Sequence, residues 1–224
     1  MDGTLVETEE YWGEAMFALA GQLGGRMSAG ARAATVGTSM RTAMGFLYAD
    51  LGVIRTEDQL QADVAQIMDA VAAMMTERLI WLPGAQELLT AVHGAGLRTA
   101  LVTTTPRRLA DLVLSHIEAG FPDGGPFDVT VCGDEVPARK PDPAPYLQAM
   151  AALGVFPGEC VVIEDSLVGV TSGLAAGAAV IGVAGLQPVP PAPGLVQVDT
   201  LEGIGLPELA DVLAGRAPAN SAAR

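Results

Sequence analysis

From Leu82 onward, short apolar runs alternate with segments of helical spacing, and few folds accommodate that alternation. Pro83–Gly84 reads as a turn, and residues 85–92 as a helix closed by Gly94 and Gly96. Strands are expected at 98–102, 127–132, 160–163, 180–183 and 196–198. Between them fall helices at 106–117, 143–153 (closed by Gly154) and 168–176 (closed by Gly177), with a last helix at 206–213. The run Pro188–Pro193 is a surface loop, and a tail from Gly215 is expected to be disordered. Strand and helix in strict alternation imply an α/β fold with a doubly wound, mostly parallel, Rossmann-like sheet. Its functional site belongs at the C-terminal ends of the strands.

The region before Leu82 has a different texture. Residues 11–23 carry apolar side chains at helical spacing and end at Gly24–Gly25. Residues 40–51 form a second such segment, ended by Gly52. Thr56 with Gln59 three positions on is a capping-box pattern opening a long helix towards Arg78. No strand interrupts residues 8–78. The expected organisation is an α/β core from residues 1–7 and 80–214, a helical insert at 8–79, and a tail at 215–224.

Composition narrows the partners. Half of the 224 residues are hydrophobic and only 4% are aromatic, so the core is built from Ala, Val, Leu and Ile. A net charge of −14 argues against nucleic acid or an anionic membrane, both of which want a basic surface. Eleven of the basic residues are arginine, and Lys140 is the one lysine. The two cysteines, Cys132 and Cys160, adjoin apolar runs and read as buried free thiols. The acidic start MDGTLVETEE has no apolar signal-peptide segment. The uncharged stretch 167–186 contains five glycines and reads as helix, turn and strand rather than a bilayer span. A cytoplasmic, soluble protein is expected, monomeric or weakly dimeric.

Four short motifs fall where such a sheet would gather them. They are Asp2-Gly3-Thr4-Leu5, Thr103 after the strand Ala100-Leu101-Val102, Arg139-Lys140-Pro141-Asp142-Pro143 before a helix, and Glu164-Asp165-Ser166 after Val161-Val162-Ile163. Each alone is a modest signal. Their order and spacing together resemble the haloacid dehalogenase superfamily of phosphohydrolases, over nearly the whole chain. WLPGAQELLTAVHGAGLRTALVTTT is similar to that family's re-entry into the core, and residues 8–78 to the helical cap it inserts after the first strand.

The resemblance implies a Mg²⁺-dependent phosphatase acting on a small phosphorylated metabolite, with roles that make physical sense residue by residue. Lys140 would supply a point positive charge for the phosphoryl oxygens. Thr103 would supply a hydroxyl donor, and the amide of Thr104 a second donor. Asp165 is a hard oxygen ligand for Mg²⁺, with Glu164 as a direct or water-mediated helper. Asp2 would serve as general acid and then base, and its backbone carbonyl as a further metal ligand. A metal and one buried ammonium can dominate locally over a remote, screened −14.

One family position has no counterpart. The nucleophile of these enzymes is an aspartate two residues before the acid/base, and Asp2 is preceded only by Met1. Either the chain is a nucleophile-free relative or its start is set too late. The late start is the expectation, because losing the central strand would leave the backbone of its neighbours unpaired. The 224-residue chain is then expected to be inactive and poorly stable.

Other activities rank lower. A dehalogenase needs neither an acid at position 2 nor the Glu164–Asp165 pair. Phosphonate hydrolases of the family use a lysine in the cap, and residues 8–78 contain none. A sugar-phosphate mutase holds a second phosphate with an arginine soon after a cap glycine. Here Gly37 is followed by Thr38, Ser39, Met40 and Arg41, one position off that pattern. A mutase or an inactive phosphate-binding relative is the alternative, and a receiver domain fails on motif order. Tyr11, Trp12, Thr38, Ser39 and Arg41 are candidates for reading the leaving group. Arg107 and Arg108 read as solvated residues of a first helical turn, and His93 as a complement to a helix C-terminus.

Overall fold

The computed structural model describes residues 1–35, 38–121, 124–185 and 188–217. Internal contacts divide the chain into two units, Thr8–Leu79 and the pair of segments Met1–Glu7 with Ile80–Arg224.

The first unit is helical: α1 (Glu9–Gln22), α2 (Ala29–Thr35), α3 (Met40–Leu51) and α4 (Glu57–Glu77). Tyr11, Ala15 and Leu19 of α1 are buried at four-residue spacing, as are Ile67, Val71 and Met75 of α4. That spacing puts each set on one helix face. Met44 and Leu47 of α3 complete the buried set. The Tyr11 hydroxyl donates to the Arg78 carbonyl at 3.0 Å, so this ring is a core residue rather than part of a ligand face. Thr56 forms the expected capping box: its Oγ1 accepts from the Gln59 amide at 3.3 Å, and Gln59 Oε1 accepts from the Thr56 amide at 3.0 Å. Asp63 is buried, and Arg55 grips both its oxygens at 2.8 and 2.7 Å while Tyr48 donates at 2.8 Å. The short helix α2 lacks a sequence signal because it has no apolar stripe, and Thr35 is its one buried residue.

The second unit carries the strands. β1 (Val6–Glu7) and β2 (Ile80–Trp81) pair antiparallel. β3 (Ala100–Val102) pairs parallel with β4 (Val129–Val131). β5 (Val161–Glu164), β6 (Ala179–Val183) and β7 (Leu195–Val198) form a parallel sheet in that order. Helices α5 (Ala85–Gly94), α6 (Arg107–Glu118), α7 (Ala144–Leu153), α8 (Leu167–Ala175) and α9 (Leu206–Leu213) complete the α/β alternation. β6 contributes to two cores, as a sheet covered on both faces requires. Val180 packs with Val102, Val131, Val162 and the α7 residues Tyr146, Ala149 and Met150. Ile181 and Val183 pack with Ala85 and Leu88 of α5, Val198 of β7 and Val212 of α9. Gly84 opens α5 with φ 79°, and a Cβ there would lie 2.1 Å from the Leu201 carbonyl carbon, so both conformation and space demand glycine.

One expectation, that both cysteines are buried, is corrected by Cys160. The strands β1 and β2 have only two residues each, too few to give an alternating pattern in sequence. The chain after α9 begins ordered: the Gly215 amide donates to the Val212 carbonyl at 3.0 Å and Arg216 pairs with Asp211, while residues 218–224 lie outside the described ones. Cys160 is half-buried, with its Sγ donating to the Phe156 carbonyl at 3.3 Å, whereas Cys132 is fully buried. The uncharged stretch from Leu167 forms α8 and β6, and no helix among the described residues is long and apolar enough to cross a membrane.

Replacing Thr56 by Ala removes one partner of the capping box and is expected to cost about 1 kcal/mol in urea denaturation. Burial pushes the Cys132 thiol up to about 11. A thiol reagent applied near pH 8 to the folded protein should therefore leave Cys132 unmodified until denaturant is added.

Candidate active site

The ends of β3 and β5 are joined through side chains. Lys140 lies just before α7, and its Nζ donates to the Val102 carbonyl at 2.9 Å and to the Tyr146 hydroxyl at 3.1 Å. It also forms an ion pair with Glu164 Oε1. Both side chains of the pair are almost completely buried, 5% and 8% exposed. The Tyr146 hydroxyl donates to the same Glu164 oxygen at 2.5 Å, and the Lys140 ammonium stands 4.7 Å from the centre of the Tyr146 ring. Ser166 supplies the other Glu164 oxygen at 3.2 Å, and its Oγ also caps α8 by accepting from the Gly169 amide at 3.1 Å. Burial alone would push the Glu164 carboxyl up, but the charge of Lys140 and the hydrogen bonds hold it below the usual carboxylate range. Burial and the Glu164 charge push the Tyr146 hydroxyl well above its ordinary value, so it stays a neutral donor. Gly169 leaves room for this carboxylate: a Cβ there would sit 2.0 Å from Glu164 Oε2.

The turn Asp2–Thr4 touches both strand ends. The Thr4 hydroxyl donates to Asp165 Oδ1 at 2.6 Å. Gly3 has φ 71°, and a Cβ on it would meet Asp165 Oδ2 at 2.3 Å. Only glycine lets the backbone approach that carboxylate so closely. On the other side, the Thr105 hydroxyl donates to Asp2 Oδ2 at 2.6 Å. The Thr105 amide donates to Thr103 Oγ1 at 3.1 Å, and its carbonyl accepts from the Gly133 amide at 3.1 Å. Thr103 is buried and its own amide extends the β3–β4 ladder to the Val131 carbonyl at 2.9 Å. Thr104 is exposed.

A clamp fixes the loop that carries Lys140. Arg107 grips Glu135 through Nε and Nη2, both at 2.8 Å, and reaches the Thr130 hydroxyl at 2.9 Å. Glu135 in turn accepts from the Cys132 amide at 2.8 Å, and Arg139 Nε donates to the Gly133 carbonyl at 2.9 Å. Arg107 is thus a structural residue, not the solvated one its position suggested. Glu135 lies below the usual carboxylate range because of Arg107 and the Cys132 amide.

The structure therefore gathers Asp2, Thr103, Lys140, Glu164 and Asp165 within one connected network. Thr38, Ser39 and Arg41 belong to the helical unit. Thr38 Oγ1 donates to the Thr35 carbonyl at 2.7 Å, Ser39 Oγ accepts from the Thr42 amide at 3.2 Å as the cap of α3, and Arg41 pairs with Glu57. Gly37 lies outside the described residues. His93 stacks edge-on against Phe121 with ring centres 5.4 Å apart. Sequence reasoning missed Thr4, Thr105 and Tyr146. Each adjoins a motif, but a hydroxyl gives no sign in sequence of the partner the fold brings to it.

The donor set suits a hard cation in part. Asp165 is a half-buried carboxylate pushed above its ordinary range by desolvation and by the Glu164 charge, against the opposing pull of the Thr4 hydroxyl and the N-terminal ammonium. A divalent ion beside it would relieve both effects. Both Glu164 oxygens are already engaged, by Lys140, Tyr146 and Ser166. Among the described residues, no group of three or more His, Cys, Asp or Glu side chains gathers closely enough to hold a metal.

Comparison with known proteins establishes the family. The family described as haloacid dehalogenase-like hydrolase matches residues 1–183, and the chain belongs to that family. A phosphorylated carbohydrates phosphatase of Thermotoga maritima is 32% identical over 177 residues, covering 79% of each chain. Hexitol phosphatase A of Escherichia coli is 39% identical over 129 residues, 58% of this chain and 57% of that protein, so the match spans little more than half of the relative. The crystal structure of CbbY from Rhodobacter sphaeroides in complex with phosphate superimposes with a TM-score of 0.79 at 26% identity, covering 94% of this chain and 96% of that one.

Replacing Glu164 by Gln leaves a buried ammonium without its counter-ion and is expected to cost roughly 3–5 kcal/mol at neutral pH. Because the folded-state carboxyl is depressed, its contribution is present above the usual carboxylate range and lost as pH falls through the lowered value. The stability gap between the parent and Glu164→Gln should accordingly close under acid, measured by denaturant titration at several pH values.

Proposed function

We propose that this protein is a Mg²⁺-dependent phosphatase acting on a small phosphorylated sugar or a similar phosphate monoester, through an aspartyl-phosphate. The observation that carries the reading is the buried Lys140 ammonium at the joined ends of β3 and β5, with Thr103 beside it. A phosphoryl dianion needs such a fixed charge and hydroxyl donor where it is transferred. Asp165 and the backbone carbonyl of Asp2 would hold Mg²⁺, which when bound neutralises charge on the phosphoryl oxygens. Glu164 acts by holding Lys140 in place and by adding negative potential behind the metal.

In the first step the attacking carboxylate forms an O–P bond while the P–O bond to the sugar breaks. Asp2 gives its proton to the departing oxygen. In the second step Asp2, now a carboxylate, takes a proton from water as that water attacks phosphorus; the P–O bond to the first carboxylate breaks, which releases phosphate and restores that carboxylate. The named relatives support the sugar-phosphate class, and the unit Thr8–Leu79 is proposed as a cap that excludes water and selects the alcohol. A cytoplasmic location and the absence of nucleic-acid or membrane partners belong to the same reading.

The test is a screen of small phosphate esters with Mg²⁺ and the purified protein. Hydrolysis of hexose, pentose or hexitol phosphates is expected. Lys140→Ala should reduce kcat/KM by at least about 10³-fold, the scale of losing a charged transition-state contact. Hydrolysis that survives Lys140→Ala would overturn the reading.

A further inference from the structure

Thr105 occupies a position that neither its neighbours nor the motifs explain. Its side chain is buried, at 8% exposure, in the loop between β3 and α6. Its three polar groups each reach a different part of the site. The amide holds Thr103 Oγ1 at 3.1 Å, the carbonyl takes the Gly133 amide at 3.1 Å, and the hydroxyl donates to Asp2 Oδ2 at 2.6 Å. The first two bonds are backbone bonds and would persist with any side chain. The third depends on a hydroxyl, and it falls on the one carboxylate proposed to move protons.

We propose that Thr105 is a positioning residue for the Asp2 carboxyl, and this inference rests on the reading of Asp2 as general acid and base. Oδ2 accepts from Thr105, which fixes the orientation in which the carboxyl presents its proton to the leaving group. Proton delivery depends steeply on that aim, because a donor displaced from hydrogen-bond reach assists little. Thr4 does the same for Asp165 from the opposite side of the turn, at 2.6 Å. Two threonine hydroxyls therefore hold two carboxylates apart, one towards the metal site and one towards the leaving group. The Thr105 bond also ties the acid to the loop that ends in Lys140, through Gly133 and Arg139. A Cβ on Gly133 would meet the Thr104 carbonyl oxygen at 2.1 Å, so the two loops are pressed together where this link forms.

The experiment exploits the leaving group. An alkoxide leaving from a sugar phosphate needs a proton, whereas p-nitrophenolate leaves without one. kcat/KM reports the steps up to departure of that group, so it isolates the acid role from the later attack of water. Thr105→Val is expected to lower kcat/KM for the best sugar phosphate by roughly 10–100-fold, a fraction of a full acid–base contribution. For p-nitrophenyl phosphate the change should stay within about threefold. Thr105→Ser, which keeps the hydroxyl, should restore the sugar-phosphate rate. If Thr105→Val does not fold, Thr105→Ala carries the same comparison. Equal losses on both esters, or a serine variant as poor as valine, would overturn the inference while leaving the phosphatase reading intact. Absence of Mg²⁺-dependent hydrolysis of either ester by the parent protein would remove the phosphatase reading itself, and the inference with it.

Discussion

The buried pair Lys140–Glu164 is the interaction on which the rest of the site depends. β3 and β5 belong to separate strand sets, β3–β4 and β5–β6–β7. What fastens one to the other at their C-terminal ends is a lysine that takes a backbone carbonyl from β3 and a carboxylate from β5. Two ions removed from water are costly, and the pair is tolerable because all three ammonium protons and both carboxylate oxygens have partners. Tyr146, Ser166 and the Val102 carbonyl supply those partners. Among the described residues, no buried side-chain nitrogen or oxygen is left without one. Such a pair is weak evidence for stability and stronger evidence for geometry: it holds a positive charge at one point at the rim of the strands.

Small residues determine how closely the other groups can approach. Gly3 lets a turn lie against Asp165, Gly169 lets Glu164 fold back onto the first turn of α8, and Gly133 lets the lysine loop lie against Thr104. In each case a single Cβ would fall inside the contact distance of an oxygen. The carboxylates and the phosphate-binding groups are thus crowded together by the absence of side chains as much as by their presence.

Much of the architecture could be read in advance, because helix periodicity, glycine stops and apolar strand runs are local. α3 and α9 span the residues that their patterns indicate, and Thr56–Gln59 forms the box that its spacing implies. What escaped were elements without periodicity, such as α2 and the two-residue strands β1 and β2. The site shows the same division. Lys140, Asp165 and Asp2 stand out because charged residues beside apolar strands need a reason. Thr4, Thr105 and Tyr146 are polar residues of ordinary appearance, and their partners lie 161, 103 and 18 positions away. Arg107 was misread for a related cause: its partner Glu135 is 28 positions on, across a strand and a turn.

The solitary lysine has a practical consequence. Its ammonium is the only side-chain amine in 224 residues, and it is 5% exposed. Any acylating or carbamoylating reagent that modifies a lysine of this protein has, by arithmetic, modified the site. The extent of lysine labelling then becomes a direct count of how often the pocket opens to solvent. It is a measure of breathing that a lysine-rich surface would bury in background.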